Sequence, residues 1–329
     1  MQTVSQAMDA FISSLKIASC DTDKDGERCG KCTRCDATRQ RDLIRGHLEA
    51  AFSVNEFLIS GSFKRHTAIR PLNDIDLFVV LDRDRHSDLA SAAPIETLKA
   101  VQDVLDKAYP TKEHPILQGR SVNIEFVGTG LAFDVVPAFA VSGEQYTIPD
   151  RDTNRWIHTN PRLHAEHSTE ANERAGKMAK PLVKALKHWN RQHDPKPVRS
   201  FHLELMVYDV LRSQPESHAK GIAYLLHRLG DRVLTRMPEP AGIGPDVDER
   251  LTDGERARAR KLFLDGAAAA DRALERAAAG HPGEAHFVWR QLLGSEYPEK
   301  GTPPDSKGSA PSIIVGGARA TDAPTRRFG

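Results

Sequence analysis

Between Val54 and Leu81 the chain reads VNEFLISGSFKRHTAIRPLNDIDLFVVL, and this stretch restricts the available folds more than any other. Val54 to Ile59 is a short run of strand formers that stops at Gly61-Ser62, where glycine lets the backbone turn sharply and serine offers a hydroxyl and a helix cap. Asp74-Ile75-Asp76 then opens a second apolar run, Leu77 to Leu81, too short for a helix and rich in residues that favour strands. Alternation along that strand sets Asp74 and Asp76 on one face and Ile75, Leu77 and Val79 on the other. Two carboxylates so close repel unless a cation lies between them, and hard oxygen donors select Mg²⁺ or Mn²⁺ over zinc. The frame therefore reads as a phosphate socket beside a divalent-metal site. The plainer alternative is an ordinary turn leading into a strand with a polar start.

A third carboxylate belongs to the same argument. Leu131 to Pro137, LAFDVVP, is apolar except for Asp134, and a lone carboxylate in a buried strand is costly unless it meets a cation. Asp134 is expected to be the third metal ligand, the alternative being a partner for a buried Arg or Lys. Ser121 to Val127 alternates as a further strand. Helical spacing is expected at Val4 to Leu15, Asp42 to Phe52, Ile95 to Tyr109 and residues 217–236, 253–279 and 283–293.

Beyond a polar connection at residues 151–174, a helix is expected from Ala175 to Arg191. Lys177, Lys180, Lys184, Lys187 and Arg191 form one stripe on it, opposite Met178, Leu182, Leu186 and Trp189. Pro181 either kinks this helix or marks its true first turn. The stripe is either a solvated face or a surface turned to a triphosphate. In the next segment, Ser200-Phe201-His202-Leu203-Glu204, Ser200 is expected to cap a helix.

Lys and Arg number 46 against 45 Asp and Glu in 329 residues, which argues against a chain that holds long nucleic acid chiefly by charge and favours small nucleotides. No apolar run approaches the ~18 residues of a membrane span, and the start, MQTVSQAMDAF, lacks the pattern of a secretion signal. A soluble, cytoplasmic protein is expected. All four cysteines, Cys20, Cys29, Cys32 and Cys35, lie in one polar segment. In a reducing compartment they read as a closed, structural Cys₄ zinc site rather than two disulfides, with an iron-sulfur site or a plain loop as alternatives. From Gly301 the chain is rich in Pro, Gly, Ser and Thr, which predicts a flexible tail whose only sticky part is Ile313-Ile314-Val315.

Gly61-Ser62, Asp74-x-Asp76, Asp134, Lys187-His188-Trp189-Asn190 and Ser200-Phe201-His202-Leu203-Glu204, in this order, resemble the cGAS/DncV-like nucleotidyltransferases of bacterial antiphage signalling. The similarity runs from about residue 40 to 298. It implies an α+β fold with a polymerase β-like nucleotidyltransferase lobe, a helical lobe and nucleotides bound between them. It also implies that Asp74, Asp76 and Asp134 hold two Mg²⁺ and that Gly61 and Ser62 grip the donor phosphates. By the same resemblance Lys187 and Ser200 are expected to contact the triphosphate and Phe201 to stack on a base, while Lys180 and Lys184 are expected at the triphosphate from their place in the stripe.

The expected division is 1–52 for N-terminal helices with the cysteine cluster, 53–150 for the catalytic core, 151–298 for the helical lobe and 299–329 for the tail. The implied activity is synthesis of a cyclic di- or trinucleotide from ribonucleoside triphosphates, ATP included, with release of pyrophosphate. The alternatives are a nucleotidyltransferase that modifies RNA, a protein or a small molecule, and a non-catalytic nucleotide-binding sensor. Relatives occur beside ubiquitin-transfer-like enzymes, so the resemblance further implies conjugation through Gly329, whose missing side chain suits a narrow enzyme channel.

Overall fold

The computed structural model describes residues 2–17, 32–72, 74–110 and 114–303. The described strands are β1 (Val54–Ile59), β2 (Asp74–Leu81), β3 (Ile116–Leu117), β4 (Val122–Phe126), β5 (Leu131–Ala140), β6 (Tyr146–Asp150) and β7 (Arg155–Thr159). They form one mixed sheet in the order β1-β2-β5-β4-β3, extended by β6 and β7. β2 and β5 are its parallel centre; β1 and β4 flank them antiparallel, and β6 joins the last two residues of β5. Alternation divides the central strands as the sequence requires. Ile75, Leu77, Val79, Phe133 and Val135 enter a core shared with the helices on that side. Phe78, Val80, Val136 and Ala138 point the other way, into a smaller cluster with Tyr146 and Ile148. Asp74, Asp76 and Asp134 take the parity of this second face.

The helices before the second lobe are α1 (Val4–Ser14), α2 (Thr33–Ala51), the single turn α3 (Gly61–Lys64), α4 (Ser87–Ser91) and α5 (Pro94–Ala108). α2 lays Ile44 and Leu48, and α5 lays Leu98, Val101 and Leu105, against the sheet. The helical lobe holds α6 (Pro161–Arg174), α7 (Ala179–Arg191), α8 (Ser200–Val210), α9 (His218–Arg232), α10 (Asp253–Ala278) and α11 (Pro282–Leu293). No described helix is long and apolar enough to cross a membrane.

Four expectations change. Residues 1–52 are not one unit. Met8, Phe11 and Ile12 of α1 are sealed in the core of the helical lobe, whereas α2 belongs to the sheet. Each such apolar side chain contributes about 1.5–3 kcal/mol by leaving water, so α1 is an integral part of the second lobe. Second, residues 151–174 are not a connection. β6 and β7 pair as a hairpin, and the Asn160 side chain accepts from Leu163 N at 3.0 Å to start α6, with Pro161 in its first turn. α6 buries only Pro161, Ser168 and Ala171, so its apolar signal is weak.

Third, the helix expected from Ala175 begins at Ala179. Gly176 and Lys177 have φ of 59° and 65° and end α6, Asn172 Oδ1 accepts from Lys180 N at 3.0 Å, and Pro181 falls in the first turn of α7, where its missing N–H costs nothing. Fourth, Arg199 and not Ser200 is the N-cap of α8, without a side-chain cap. The expected tail beyond residue 303, Gly329 included, lies outside the described residues.

Candidate active site

β2 and β5 run in parallel with Asp76 opposite Asp134 and Asp74 opposite Ala132, so the three carboxylates share one face across a single strand pair. On the other side of β5, Asn123 of β4 stands opposite Asp134 and donates from Nδ2 to Oδ1 at 2.8 Å. Burial above all, with Asp76 and Asp74 adding, pushes the Asp134 pKa up to about 7 against that hydrogen bond. Burial also pushes Asp76 up, with Asp74 adding, against the pull of Arg65. Negative charge is thus disfavoured where these three carboxyl groups share a face, which is the electrostatic condition of a cation site.

Among the described residues no three His, Cys, Asp or Glu side chains converge on one metal position. The donor set is hard and acidic, so Asp74, Asp76 and Asp134 fit divalent cations held jointly with a nucleotide.

The turn from β1 into α3 presses on this face. Ser60 N donates to Asp76 O at 2.9 Å, and Ser62 O accepts from Thr67 N at 2.9 Å and Ala68 N at 3.1 Å. Gly61 has φ of 61°, and a Cβ there would lie 1.6 Å from Asp76 Oδ2. Only glycine permits both the conformation and the approach.

A cleft of about 500 Å³ opens above this floor, lined by Gly61, Ser62 and the three aspartates on one side and Lys187, Arg191, Ser200 and Phe201 on the other. Lys180 and Lys184 do not line it. Lys184 borders a separate small hollow with Arg34, Phe63 and His66, so the stripe divides: its Lys187 and Arg191 end meets the cleft and its earlier end does not. Lys187 is itself only 4% exposed. Its Nζ forms a close ion pair with Glu204 and donates to Thr67 O at 3.3 Å. Arg65 completes the knot, with Nε 3.0 Å from Glu204 Oε2 and Nη2 3.2 Å from Oε1. Burial alone would raise the Glu204 pKa, but Arg65 and Lys187 outweigh it and hold the carboxyl down to about 2. The Arg65 guanidinium also lies over the Phe201 ring, 4.8 Å from its centre.

Arg65 and Glu204 were not expected in the site. The argument applied to Asp134 would have found Glu204, a lone carboxylate in the apolar helix FHLELMVY. Nor did the sequence point to Arg120 and Arg250, which meet the sealed carboxylate of Asp150 on the far wall. Arg120 Nη2 is 2.7 Å and Arg250 Nη2 is 3.2 Å from Asp150 Oδ2, so one carboxylate ties the β3–β4 turn, β6 and the helical lobe together. Cys32 and Cys35 stand at the start of α2 with sulfurs 3.6 Å apart; Cys20 and Cys29 lie outside the described residues.

Comparisons with known proteins identify the family and the fold. The Second Messenger Oligonucleotide or Dinucleotide Synthetase domain matches residues 2–172. A cyclic AMP-AMP-AMP synthase of Acinetobacter sp. is 30% identical over 278 residues, 78% of this chain and 77% of that one. A cyclic AMP-AMP-GMP synthase of Enterobacter hormaechei is 25% identical over 358 residues, 87% of this chain and 90% of that one. Among solved structures, Escherichia coli CdnC with ATP superimposes with a TM-score of 0.66 at 21% identity, covering 89% of this chain and 98% of that one. That likeness shows the fold, a polymerase β-like lobe joined to a helical lobe. With over half of its length inside the matched domain and a 30% identical relative spanning most of it, the chain belongs to the second-messenger oligonucleotide or dinucleotide synthetases, the nucleotidyltransferases of bacterial antiphage signalling that make cyclic oligonucleotides.

Proposed function

We propose that this enzyme makes a cyclic di- or trinucleotide containing adenosine, in the cytoplasm, by repeated attack of a ribose hydroxyl on the α-phosphate of a bound ribonucleoside triphosphate, with pyrophosphate leaving. The observation that carries the reading is the register of β2 on β5, which sets Asp76 beside Asp134 beneath the Gly61 turn. Adenosine is favoured by the named products of the relatives above.

Asp74, Asp76 and Asp134 hold divalent cations, Mg²⁺ or Mn²⁺. Bound there, such ions lower the pKa of the attacking hydroxyl and neutralise the leaving oxygens. Gly61 and Ser62 bring backbone and hydroxyl up to the donor phosphates. Ser200 meets the triphosphate from the opposite wall, while Lys187, spent on Glu204, fixes the position of that wall. Phe201, backed by Arg65, offers a flat face to a base.

The test is mass spectrometry of the products formed from the four ribonucleotides with Mg²⁺ or Mn²⁺. A cyclic oligonucleotide with adenosine is expected, lost when Asp74→Asn and Asp76→Asn are combined. Products that appear only when an RNA or protein acceptor is added would overturn the reading.

Two further parts of the proposal have their own support. The Cys32 and Cys35 sulfurs are too far apart for the ~2.05 Å of a disulfide and close to the edge of a tetrahedron with metal–sulfur distances of ~2.3 Å, which supports a structural zinc shared with Cys20 and Cys29. Joining of Gly329 to other molecules by a ubiquitin-transfer-like enzyme rests on the family resemblance alone.

A further inference from the structure

Behind Ser200 a second cavity, of about 370 Å³, opens between the segment before α8 and the segment entering α10. It falls within the ~300–1,000 Å³ range of small-molecule pockets. Its apolar lining comes from Pro195, Pro197, Val247 and Leu251. Lys196 and Arg199, both exposed, stand at its edge. His202 also lines it, on α8 directly after Phe201 of the active cleft.

His202 is the unusual member. It is only 2% exposed, and its Nε2 has no hydrogen-bond partner. A buried polar atom left without a partner is costly, so such atoms in native proteins call for a ligand or a water. Burial pushes its pKa down to about 4, so the ring is neutral and its open nitrogen can donate or accept, according to tautomer. Asp248 and Glu255 line it as well, so its charge is mixed; a neutral hydrogen-bonding edge and apolar walls suit a heteroaromatic ring, and the exposed cations Lys196 and Arg199 at the edge suit the phosphate it carries.

We propose that this cavity binds a purine nucleotide unit, with the ring between the prolines and Leu251, an edge toward His202, and the phosphate at Lys196 and Arg199. The choice of purine rests on the adenosine reading above; the cavity, its buried histidine and its cations do not depend on it. Arg199, Ser200 and Arg250 line both this cavity and the catalytic cleft. The same chemistry therefore has two sources: one residue of an oligonucleotide still attached to the catalytic cleft, or a free nucleotide that acts from next door.

Calorimetric titration of the full-length Asp74→Asn, Asp76→Asn protein with AMP, and separately with the linear dinucleotide pApA, distinguishes them. Each probe is titrated before and after Lys196→Glu, an exposed change that spares the fold, and Leu251→Trp, which fills the cavity. AMP binding weakened about tenfold or more by both changes assigns a free-nucleotide site. Weakening confined to pApA assigns a holding site for the growing chain. Binding of both probes unaltered by either change overturns the proposal. If AMP binds here and no adenosine product is found, the cavity stands and the product assignment falls.

Discussion

A methyl group on Gly61 would lie 1.6 Å from Asp76 Oδ2, at a backbone position with φ of 61°. Gly61→Ala is expected to cost more than about 1 kcal/mol of stability and to abolish pyrophosphate release, because the turn must move away from the carboxylate. Thermal melting and a pyrophosphate assay check the two effects. Asp134 gives a prediction of opposite sign. Its pKa is raised from 3.8 to about 7, so the folded state prefers the protonated form, and a penalty grows as pH climbs from the ordinary value toward 7 and is complete above it. Without divalent cations, Asp134→Asn is therefore expected to stabilise the protein at pH 8 by a few kcal/mol, at about 1.4 kcal/mol for each tenfold change in proton affinity, with the gain fading toward pH 4. Melting curves across that range check it, and in the wild type the penalty should vanish when Mg²⁺ and a nonhydrolysable triphosphate are added. These two residues also show how far the sequence reached. The strand parity that groups Asp74 with Asp76 is visible in DID followed by LFVVL; the pairing of Asp76 with Asp134 is a matter of register between strands more than fifty residues apart, and no local pattern encodes it.

α3, α7 and α8 meet at Glu204, and the meeting explains why the basic stripe misled. Helical spacing identifies which residues of α7 share a face, but not whether that face looks into a cleft or into a buried carboxylate on the next helix. Glu204→Gln should cost about 3–5 kcal/mol, since it leaves Arg65 and Lys187 buried together without their counter-charge. The folded pKa of Glu204 lies below its ordinary 4.5, so its contribution is fully present above that value and is lost as pH falls toward about 2. The stability gap between wild type and Glu204→Gln should accordingly narrow below pH 4.5, and denaturant titrations at several pH values measure it. At the start of α2, purified protein should carry about one zinc per chain. Cys32→Ser with Cys35→Ser should release it, and metal analysis that finds none in the reduced wild type removes the site.

At the scale of the whole molecule the two lobes are joined across the cleft by two charge clusters of different kinds. The Glu204 knot is sealed, whereas Arg120 and Arg250 are 40% and 34% exposed at the side chain where they meet Asp150. The Asp150 carboxylate is buried but keeps Arg120 when Arg250 is removed, and the partly exposed guanidinium groups are screened by salt. Arg250→Ala should leave the melting temperature nearly unchanged yet raise KM for ATP several-fold at low ionic strength, with wild type approaching the variant as salt is added. Steady-state kinetics at two salt concentrations test this. The lobes themselves were legible as a strand-rich half followed by a helix-rich half. The place of α1 was not, because its apolar face says only that it packs, and Met8 and Phe11 fit either core equally well by composition.

That place has a mechanical consequence. Since α1 is built into one lobe and α2 into the other, the polypeptide passes between them twice, once between Ser14 and Thr33 and again between Thr159 and Pro161. The first passage is pinned near its start, where Arg70 N donates to Leu15 O at 3.0 Å beside a bridge between Lys16 and Ile69. Two bodies tethered at a single point swing apart freely; tethered at two separate points, they keep rotation about the line through both. Rotation about that line is the one relative motion the two passages leave open, and the buried knot of Arg65, Lys187 and Glu204 stands as the contact that opposes it.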